Sequence, residues 1–179
     1  MDIQIKQGPQ CHPSNCYTYR NGDIKYIVIH FTSNNGDTAL NNCNYFSGAN
    51  RGASAHYFVG DDGIYQSVPD KWAAWAVGGT KIYKHPYCRN MNSISIEMCS
   101  RIGADGKYYI RDGIVEQTIK LTRYLMNKYG VPVQNVLRHY DVWDKQCPAQ
   151  WATENSAGWT TFKEKVKAIL RNEEGLTME

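Results

Sequence analysis

The chain has 179 residues, of which 42% are hydrophobic, 21% charged and 12% aromatic. This length fits one domain with a sizeable core. The composition excludes a disordered chain, a collagen-like repeat and a disulfide-held miniprotein. No run of about 18 apolar residues occurs, so we expect no membrane insertion. A formal net charge of +3 is too small to indicate a nucleic-acid partner.

The first 23 residues are rich in turn-forming residues and predict a lead-in arm. They contain no apolar stretch of the kind that a secretory signal peptide needs, which predicts synthesis in a reducing cytoplasm. Six cysteines occur in the chain. In such a compartment, metal binding or catalysis is the first hypothesis for one or two of them.

The first half of the chain predicts a buried strand, a helix and a hairpin. Residues 24–30 are β-branched and mostly apolar, which is typical of a strand buried on both faces. Asp37 can cap a helix over residues 38–46. The hairpin follows, with predicted strands at residues 55–59 and 65–68.

The second half predicts two more strands and a long amphipathic helix between them. Residues 93–99 alternate polar and apolar side chains, as a strand does. Apolar positions recur at helical spacing over residues 112–129, and Gly130 ends that helix. Residues 134–138 predict a short strand that presents His139 at its end.

The end of the chain predicts a last helix and a polar exit. Thr161 and Glu164 match the capping-box pattern of a helix that runs to Leu170. Residues 172–179 are typical of a linker stub, so we assign the folded domain to residues 24–171. The alternation of strands and helices predicts an α/β fold. We expect a single domain with a central, mostly buried mixed sheet flanked by helices on both faces.

Two histidines and a cysteine stand at positions that suit a metal. His30 and His139 each end a predicted strand, where α/β sheets place functional groups. Cys147 precedes Pro148, which favours an extended backbone and a fixed presentation of the thiol. Catalytic zinc sites use three protein ligands and keep a fourth position for water. For a lone histidine, the alternative is a strand-end side chain bonded to backbone.

Two charged residues complete the predicted site. A hydrolytic metal centre needs a carboxylate that takes and delivers protons, and Glu97 interrupts an otherwise apolar strand. The alternation in that strand equally allows a glutamate that faces solvent. Lys145 lies two residues before Cys147 and can stabilise an oxyanion at the metal. Its alternative is a lysine in a surface loop.

Four short motifs occur in order along the chain: Val28-Ile29-His30-Phe31-Thr32, Ser54-Ala55-His56-Tyr57-Phe58-Val59, Asn92-Ser93-Ile94-Ser95-Ile96-Glu97, and His139 through Cys147-Pro148. Together they resemble the motifs of the zinc-dependent N-acetylmuramoyl-L-alanine amidases. That family includes phage lysins, bacterial autolysins and peptidoglycan recognition proteins. The resemblance spans roughly residues 24 to 170.

The resemblance implies a reaction and the residues that perform it. In the family pattern His30, His139 and Cys147 bind Zn²⁺, Glu97 is the catalytic acid and base, and Lys145 stabilises the oxyanion. The implied reaction hydrolyses the amide between the lactyl group of muramic acid and L-alanine of the stem peptide. The implied partner is therefore bacterial peptidoglycan.

Three positions depart from the family pattern. Some members carry a tyrosine before the histidine of the second motif and lack the glutamate. Here that position is Ala55 and Glu97 is present, so the chain resembles the glutamate-using branch. Ala76 stands where many relatives have histidine, and Ala149 stands where many have glycine.

The remaining histidines, tryptophans and cysteines carry weaker predictions. Trp72 and Trp75 are predicted to bind substrate by stacking on sugar faces, with core packing as the alternative. His56 matches a position that is commonly histidine in the family, and groove lining and packing are equally open for it. A second metal site at the start of the chain is not expected, because it would need four ligands and only three are visible there: Cys11, His12 and Cys16. The other cysteines are predicted to pack as small apolar residues: Cys43, Cys88 and Cys99.

Two other functions stay open on the residues alone. One is a module that binds peptidoglycan without cutting it, and the other is a cysteine hydrolase with Cys147 as nucleophile and His139 as base. A wall substrate without a signal peptide predicts a phage endolysin, made in the host cytoplasm and acting on the cell wall after release. The polar exit also predicts a wall-binding domain beyond the C-terminal end of this chain.

Overall fold

The computed structural model describes residues 3–78, 82–143 and 145–168. Within these ranges the strands are β1 (Ile5–Gln7), β2 (Cys16–Tyr17), β3 (Tyr26–Phe31), β4 (Tyr57–Gly60), β5 (Gly63–Gln66), β6 (Ala73–Ala74), β7 (Ser93–Met98), β8 (Arg101–Ile102), β9 (Tyr108–Tyr109) and β10 (Val136–Arg138). The α-helices are α1 (Ala39–Ser47), α2 (Asp112–Tyr129), α3 (His139–Trp143) and α4 (Ala157–Ala168). No helix in the described ranges combines the length and the apolar character needed to cross a membrane.

Six strands form a central mixed sheet in the order β1-β5-β4-β7-β3-β10. Every neighbouring pair is parallel except the β4–β5 hairpin. β3 lies between β7 and β10, and all six of its residues are buried. This burial explains its continuous apolar sequence, because a central strand of a parallel sheet has no face in water.

Helices cover both faces of this sheet, as the sequence predicts. Alternate β3 residues point to opposite faces, so Ile27 and Ile29 join the main core, which includes the apolar side of α2. Val28 belongs to a second cluster that contains Val142 of α3. On the β4 strand, Phe58 stacks against Phe46 of α1 with ring centroids 5.6 Å apart. The predicted α/β fold is therefore confirmed.

α2 has the predicted bounds, and Gly130 ends it in the left-handed conformation with φ of 65°. Its apolar stripe and its glycine stop are local signals, which is why the sequence predicts them well.

The predicted cap of α1 is wrong by one residue. Thr38 is the N-cap, and its hydroxyl accepts a hydrogen bond from the Asn41 N–H at 3.1 Å. The carboxylate of Asp62, in the β4–β5 turn, also accepts from the Ala39 N–H at 2.9 Å. These oxygens accept hydrogen bonds from the free N–H groups of the first turn. Asp37 is therefore not needed as a helix cap, and it faces the candidate site.

The predicted start of α4 is also wrong. The helix begins at Ala157, so Thr161 lies inside it and forms no capping box. Ser156 precedes the helix, and its hydroxyl accepts from the Trp159 N–H at 3.2 Å. The earlier start lets Phe162 and Val166 reach the main core. The predicted end at Leu170 and the linker stub at 172–179 lie outside the described residues.

Residues predicted as a lead-in arm contribute to the fold itself. β1 forms the edge of the central sheet through pairs such as Ile5 with Ile64. β2 pairs with β6, so that Tyr17 lies opposite Ala73. Backbone pairing of this kind depends on distant partners, and the turn-rich sequence does not show it.

Candidate metal centre and active site

Strand register brings three functional side chains into one row at the carboxyl ends of the strands. β10 pairs with β3 so that Arg138 lies opposite Ile29, and the next residues along the two strands are His139 and His30. β3 pairs with β7 so that His30 lies opposite Glu97. The two imidazole ring centroids are 4.7 Å apart. Parallel pairing thus places together residues that lie far apart in the sequence.

Cys147 reaches this row from the loop that follows α3. Its carbonyl accepts a hydrogen bond from the Tyr140 N–H at 2.9 Å, and its own N–H donates to the Lys145 carbonyl at 2.7 Å. The first of these bonds returns the loop to the start of α3, where His139 lies. The ligand atoms of His30, His139 and Cys147 all lie within 4.8 Å of one another.

The three side chains are buried and short of hydrogen-bond partners. The exposed fraction is 1% for His30, 3% for His139 and 2% for Cys147. Among the described residues, Nε2 of His30 and both ring nitrogens of His139 have no hydrogen-bond partner. An unpaired buried polar atom costs about 1–3 kcal/mol. A metal ion held by two imidazoles and a thiolate fits this cluster, because it gives one nitrogen of each imidazole a partner that the described residues do not provide.

The protonation states suit metal binding. Burial and the neighbouring His139 lower the pKa of His30 well below its ordinary value. Burial and the charge of Lys145 lower the pKa of His139 to about 3. Both imidazoles are therefore neutral at pH 7, which is the form that binds a metal. Burial raises the pKa of the Cys147 thiol, so its thiolate depends on a nearby cation.

Glu97 lies beside the metal-type ligands with its carboxylate partly exposed. Its Oε1 is 3.9 Å from Nδ1 of His30, and 20% of its side chain is exposed. Its Oε2 has no hydrogen-bond partner among the described residues. Burial raises the pKa of Glu97 to about 8, the charge of Lys145 opposes the rise and Asp37 adds to it. A carboxyl that titrates near neutral pH can both accept and donate a proton.

Lys145 is exposed and faces the same cluster of side chains. Its positive charge lowers the pKa of Glu97, of His30 and of His139. The structure therefore brings all five predicted metal and catalytic residues into one region.

A groove with a volume of about 490 Å³ opens beside Glu97. α1 supplies one wall through side chains such as Asn42 and Phe46, and Phe58 of β4 lies between α1 and Glu97 in the lining. Trp75 belongs to the lining as well. Thus one carboxylate of the candidate site faces a cleft of the size that takes a small ligand or a peptide segment.

The predicted substrate-binding residues separate into different environments. Trp75 lines the groove, and its indole N–H is buried without a partner among the described residues. Trp72 is partly buried and packs against a small core cluster.

Of the two roles left open for His56, the structure favours packing over groove lining, because this side chain is 1% exposed and lies in the interior. Its Nδ1 accepts from the Ser95 N–H at 3.0 Å, and its Nε2 is 2.9 Å from Nη2 of Arg20. His56 thus joins the arm to the sheet.

Sequence reasoning missed two residues near the site. Arg20 inserts its guanidinium between the arm and the sheet and bonds to the backbone on both sides, including the Trp72 carbonyl at 2.7 Å. Asp37 lines the groove, and its Oδ2 accepts from Asn42 at 2.6 Å. Its other oxygen, Oδ1, is buried without a partner within the described ranges. No local pattern marks either residue as functional, because an arginine in a turn-rich segment and an aspartate before a helix are both common on protein surfaces.

The other cysteines lie away from the candidate metal centre. Within the described residues, no second group of metal-type ligands is close enough to bind one ion, and this applies to Cys11, His12 and Cys16. The predicted apolar packing is confirmed for three buried thiols: Cys43, Cys88 and Cys99.

The chain is similar to several known proteins. A family model described as N-acetylmuramoyl-L-alanine amidase matches residues 20–150. The N-acetylmuramoyl-L-alanine amidase CwlL of Bacillus licheniformis is 36% identical over 157 residues, which cover 83% of this chain and 42% of that protein. The amidase BlyA of Bacillus subtilis (strain 168) is 35% identical over 159 residues, which cover 82% of this chain and 42% of BlyA. The chain thus spans less than half the length of these two relatives.

Solved structures show the same fold. The structure of PlyL has a TM-score of 0.71 at 30% identity and covers 93% of this chain and 98% of PlyL. The solution structure of the PlyG catalytic domain has a TM-score of 0.73 at 28% identity and covers 93% of this chain and 94% of that domain. Since the family model matches most of the chain and the fold agrees over nearly all of it, the chain belongs to the N-acetylmuramoyl-L-alanine amidase family.

Proposed function

We propose that this chain hydrolyses the amide between the lactyl group of N-acetylmuramic acid and L-alanine in bacterial peptidoglycan. The observation that carries the proposal is the buried cluster of His30, His139 and Cys147 with the Glu97 carboxylate 3.9 Å from His30. Membership of the N-acetylmuramoyl-L-alanine amidase family supports the choice of peptidoglycan as the substrate. Because that substrate is the cell wall, the chain acts there.

The metal of this centre is Zn²⁺ in our proposal, held by the two imidazoles and the thiolate. When bound, Zn²⁺ polarises the scissile carbonyl and makes a water molecule acidic enough to react at neutral pH. The set of two nitrogens and one sulfur suits this ion. Three protein ligands leave room for substrate and water, whereas a structural zinc site is closed by four.

Glu97 moves the proton in this reaction. Its carboxylate accepts the proton of the attacking water and later delivers it to the leaving amine of L-alanine. Partial burial suits both tasks, because it brings the pKa of this carboxyl close to neutral. Its unpartnered Oε2 is free of competing hydrogen bonds within the described residues. Lys145 supplies a positive charge that stabilises the negative oxygen that develops on the attacked carbonyl.

The two alternative functions fit these residues less well. A cysteine nucleophile needs a lowered thiol pKa, whereas burial raises that of Cys147. Its neighbour His139 has a pKa of about 3, so it is a poor base for a thiol. A module that only binds peptidoglycan has no need of a half-buried carboxylate beside three metal ligands.

Zinc analysis tests the metal centre. We expect one equivalent of Zn²⁺ in the wild-type chain, together with cell-wall hydrolysis that a strong chelator abolishes and added Zn²⁺ restores. Cys147→Ser should lose most of the metal, whereas Cys88→Ala, a buried thiol outside the cluster, should retain it. Hydrolysis by a metal-free preparation, blocked by a thiol alkylator, would establish the cysteine hydrolase instead.

Glu97→Gln tests the proton transfer. This variant keeps the shape of the side chain, so we expect it to bind Zn²⁺ normally and to lose turnover by roughly 10²–10⁴-fold. Glu116→Gln is the matched control, because Glu116 is exposed and forms an ion pair with the exposed Lys165. Turnover of Glu97→Gln within a few fold of the control would reject the role of Glu97.

A further inference from the structure

A second cleft lies next to the groove and shares Trp75 with it. This aromatic cleft has a volume of about 380 Å³, and its lining consists of Tyr17, Gly52, Trp75, Gly78 and Asn90. Trp75 also lines the groove that contains Glu97. The two depressions therefore adjoin at Trp75, and neither the predicted metal ligands nor Glu97 is among the described lining residues of the aromatic cleft.

Two tyrosines of the arm extend the aromatic surface from Trp75. The ring of Tyr17 meets that of Trp75 edge-on with centroids 5.4 Å apart, and Tyr19 lies 5.9 Å from Tyr17. The exposed fraction is 38% for Tyr17 and 51% for Tyr19. Pairing of β2 with β6 holds Tyr17 in place through the backbone. A contiguous row of exposed rings beside a cleft marks a binding surface.

Asn90 places a free amide group in the aromatic cleft. Its Oδ1 accepts from the N–H groups of Ala76 at 3.1 Å and Val77 at 2.8 Å. These two bonds assign the oxygen, so the other side-chain atom is the NH₂ group. That nitrogen makes no hydrogen bond within the described part of the chain. Two N–H donors are thus available to a ligand.

Among the described residues, the lining of the aromatic cleft is uncharged, whereas the groove contains the carboxylates of Asp37 and Glu97. A neutral ligand with apolar faces and polar edges matches such a lining. A sugar ring has this character, because its C–H groups form a weakly positive face that stacks on the negative face of an aromatic ring. Its hydroxyl and acetamido oxygens accept hydrogen bonds from donors such as the Asn90 amide.

We propose that the aromatic cleft binds an N-acetylated hexosamine ring of the glycan strand, while the groove takes the stem peptide. This proposal rests on the proposed amidase function. The scissile amide joins the sugar to the peptide, so a substrate in the groove projects its sugar half beyond it. Because the aromatic cleft adjoins the groove at Trp75, the sugar half of the substrate would enter the aromatic cleft. Tyr17 and Tyr19 thereby become determinants of a preference for glycan-linked stem peptides.

Binding of peptide-free glycan strands, made of alternating N-acetylglucosamine and N-acetylmuramic acid, tests the proposal. Titration followed by tryptophan fluorescence and calorimetry should detect binding by the wild-type chain. Replacing both arm tyrosines with leucine should weaken it about tenfold or more, since leucine lacks the aromatic face on which a sugar ring stacks. Tyr124→Leu is the matched control, because Tyr124 has the same 38% exposure but lies on α2.

Asn90→Asp is a more selective variant. It keeps an oxygen for the Ala76 and Val77 N–H groups but replaces the free NH₂ group with an acceptor. We expect weaker glycan binding at an unchanged melting temperature. In steady-state assays, KM should rise more for polymeric wall than for a sugar-free lactoyl peptide.

Four results decide between the outcomes. No binding of glycan strands by the wild-type chain, or equal binding by wild type and by the tyrosine and Asn90 variants, would overturn the proposal. Weaker binding of a free stem peptide by these same variants would also overturn it, because the peptide would then occupy the aromatic cleft. Glycan binding without any hydrolysis by the zinc-loaded wild type would reject the amidase function and keep the glycan site.

Discussion

Replacement of Arg20 by methionine tests whether the N-terminal arm is part of the folded domain. The guanidinium of Arg20 contacts Nε2 of His56 and five backbone carbonyls, those of Asp70, Trp72, Asn90, Met91 and Ser93. Methionine keeps the apolar stem of the side chain but lacks the guanidinium group, so the variant removes the hydrogen bonds together with the volume of that group.

The expected loss follows from these contacts. A typical intramolecular hydrogen bond contributes about 0.5–1.5 kcal/mol and one to a charged group about 1.5–3 kcal/mol. A plain sum over six contacts would be too large, because water and small shifts re-satisfy part of the carbonyls. Burial also opposes the charge, since it lowers the pKa of Arg20. We therefore expect Arg20→Met to lower the free energy of unfolding by about 3–5 kcal/mol.

Urea and thermal denaturation measure this effect. A loss of about 3–5 kcal/mol corresponds to a fall in Tm of roughly 6–20 °C for a domain of this size. Arg111→Met is the control, because Arg111 is exposed and its ion pair with Asp61, at 3.0 Å, lies on the surface. It should cost at most about 1 kcal/mol. If the two variants unfolded within about 1 kcal/mol of each other, the arm would not be anchored in the way described.

Three further predictions concern stability. Burial alone would raise the pKa of Asp70, but hydrogen bonds from two tyrosines and a lysine outweigh it and lower the pKa. A lowered carboxyl pKa stabilises the fold above the ordinary pKa and loses that effect as the pH falls. Asp70→Asn should therefore cost about 1–3 kcal/mol at pH 7 and progressively less as the pH falls through and below the ordinary carboxyl pKa of about 4, and a pH-independent difference in urea titrations would contradict this. Zn²⁺ at about 100 times its Kd should stabilise the wild-type chain by about 2.7 kcal/mol in thermal scans, and an equal shift in Cys147→Ser would count against that ligand. A Cβ on Gly8 would lie 2.7 Å from Sγ of Cys43, whereas one on Gly113 of α2 meets nothing within 4 Å. We expect Gly8→Ala to lower the unfolding free energy by about 1–3 kcal/mol and Gly113→Ala to raise it by up to about 1 kcal/mol, and the reverse order in urea denaturation would refute the packing at Gly8.

Local signals predicted much of the secondary structure. The helix at residues 112–129 has an apolar stripe and a glycine stop, and both act within a few residues of where they stand. The strands around His30 and Glu97 are recognisable because central strands need side chains that tolerate burial on both faces. The sequence motifs of these two strands also carry the family resemblance, which implies the roles of the site residues.

Predictions failed where two or more local patterns compete. Asp37 and Thr38 are both good helix caps, and the choice fell on Thr38 because Asp62 of the hairpin satisfies neighbouring N–H groups. Thr161 and Glu164 form a capping pattern inside a longer helix that starts at Ala157. In both cases a contact with a distant segment, or packing of a helix face on the core, decides between alternatives of similar local energy.

By itself, the sequence determined the type of fold, the main strands and helices, and the kinds of residue that suit a metal centre. Only the tertiary structure decided which of these residues meet. Parallel register placed His139 beside His30 and His30 beside Glu97, and it sent His56 into the interior to bond with Arg20. The physical reason is that a side chain's type is encoded where it stands, whereas its neighbours depend on backbone pairing and packing between segments far apart in the chain.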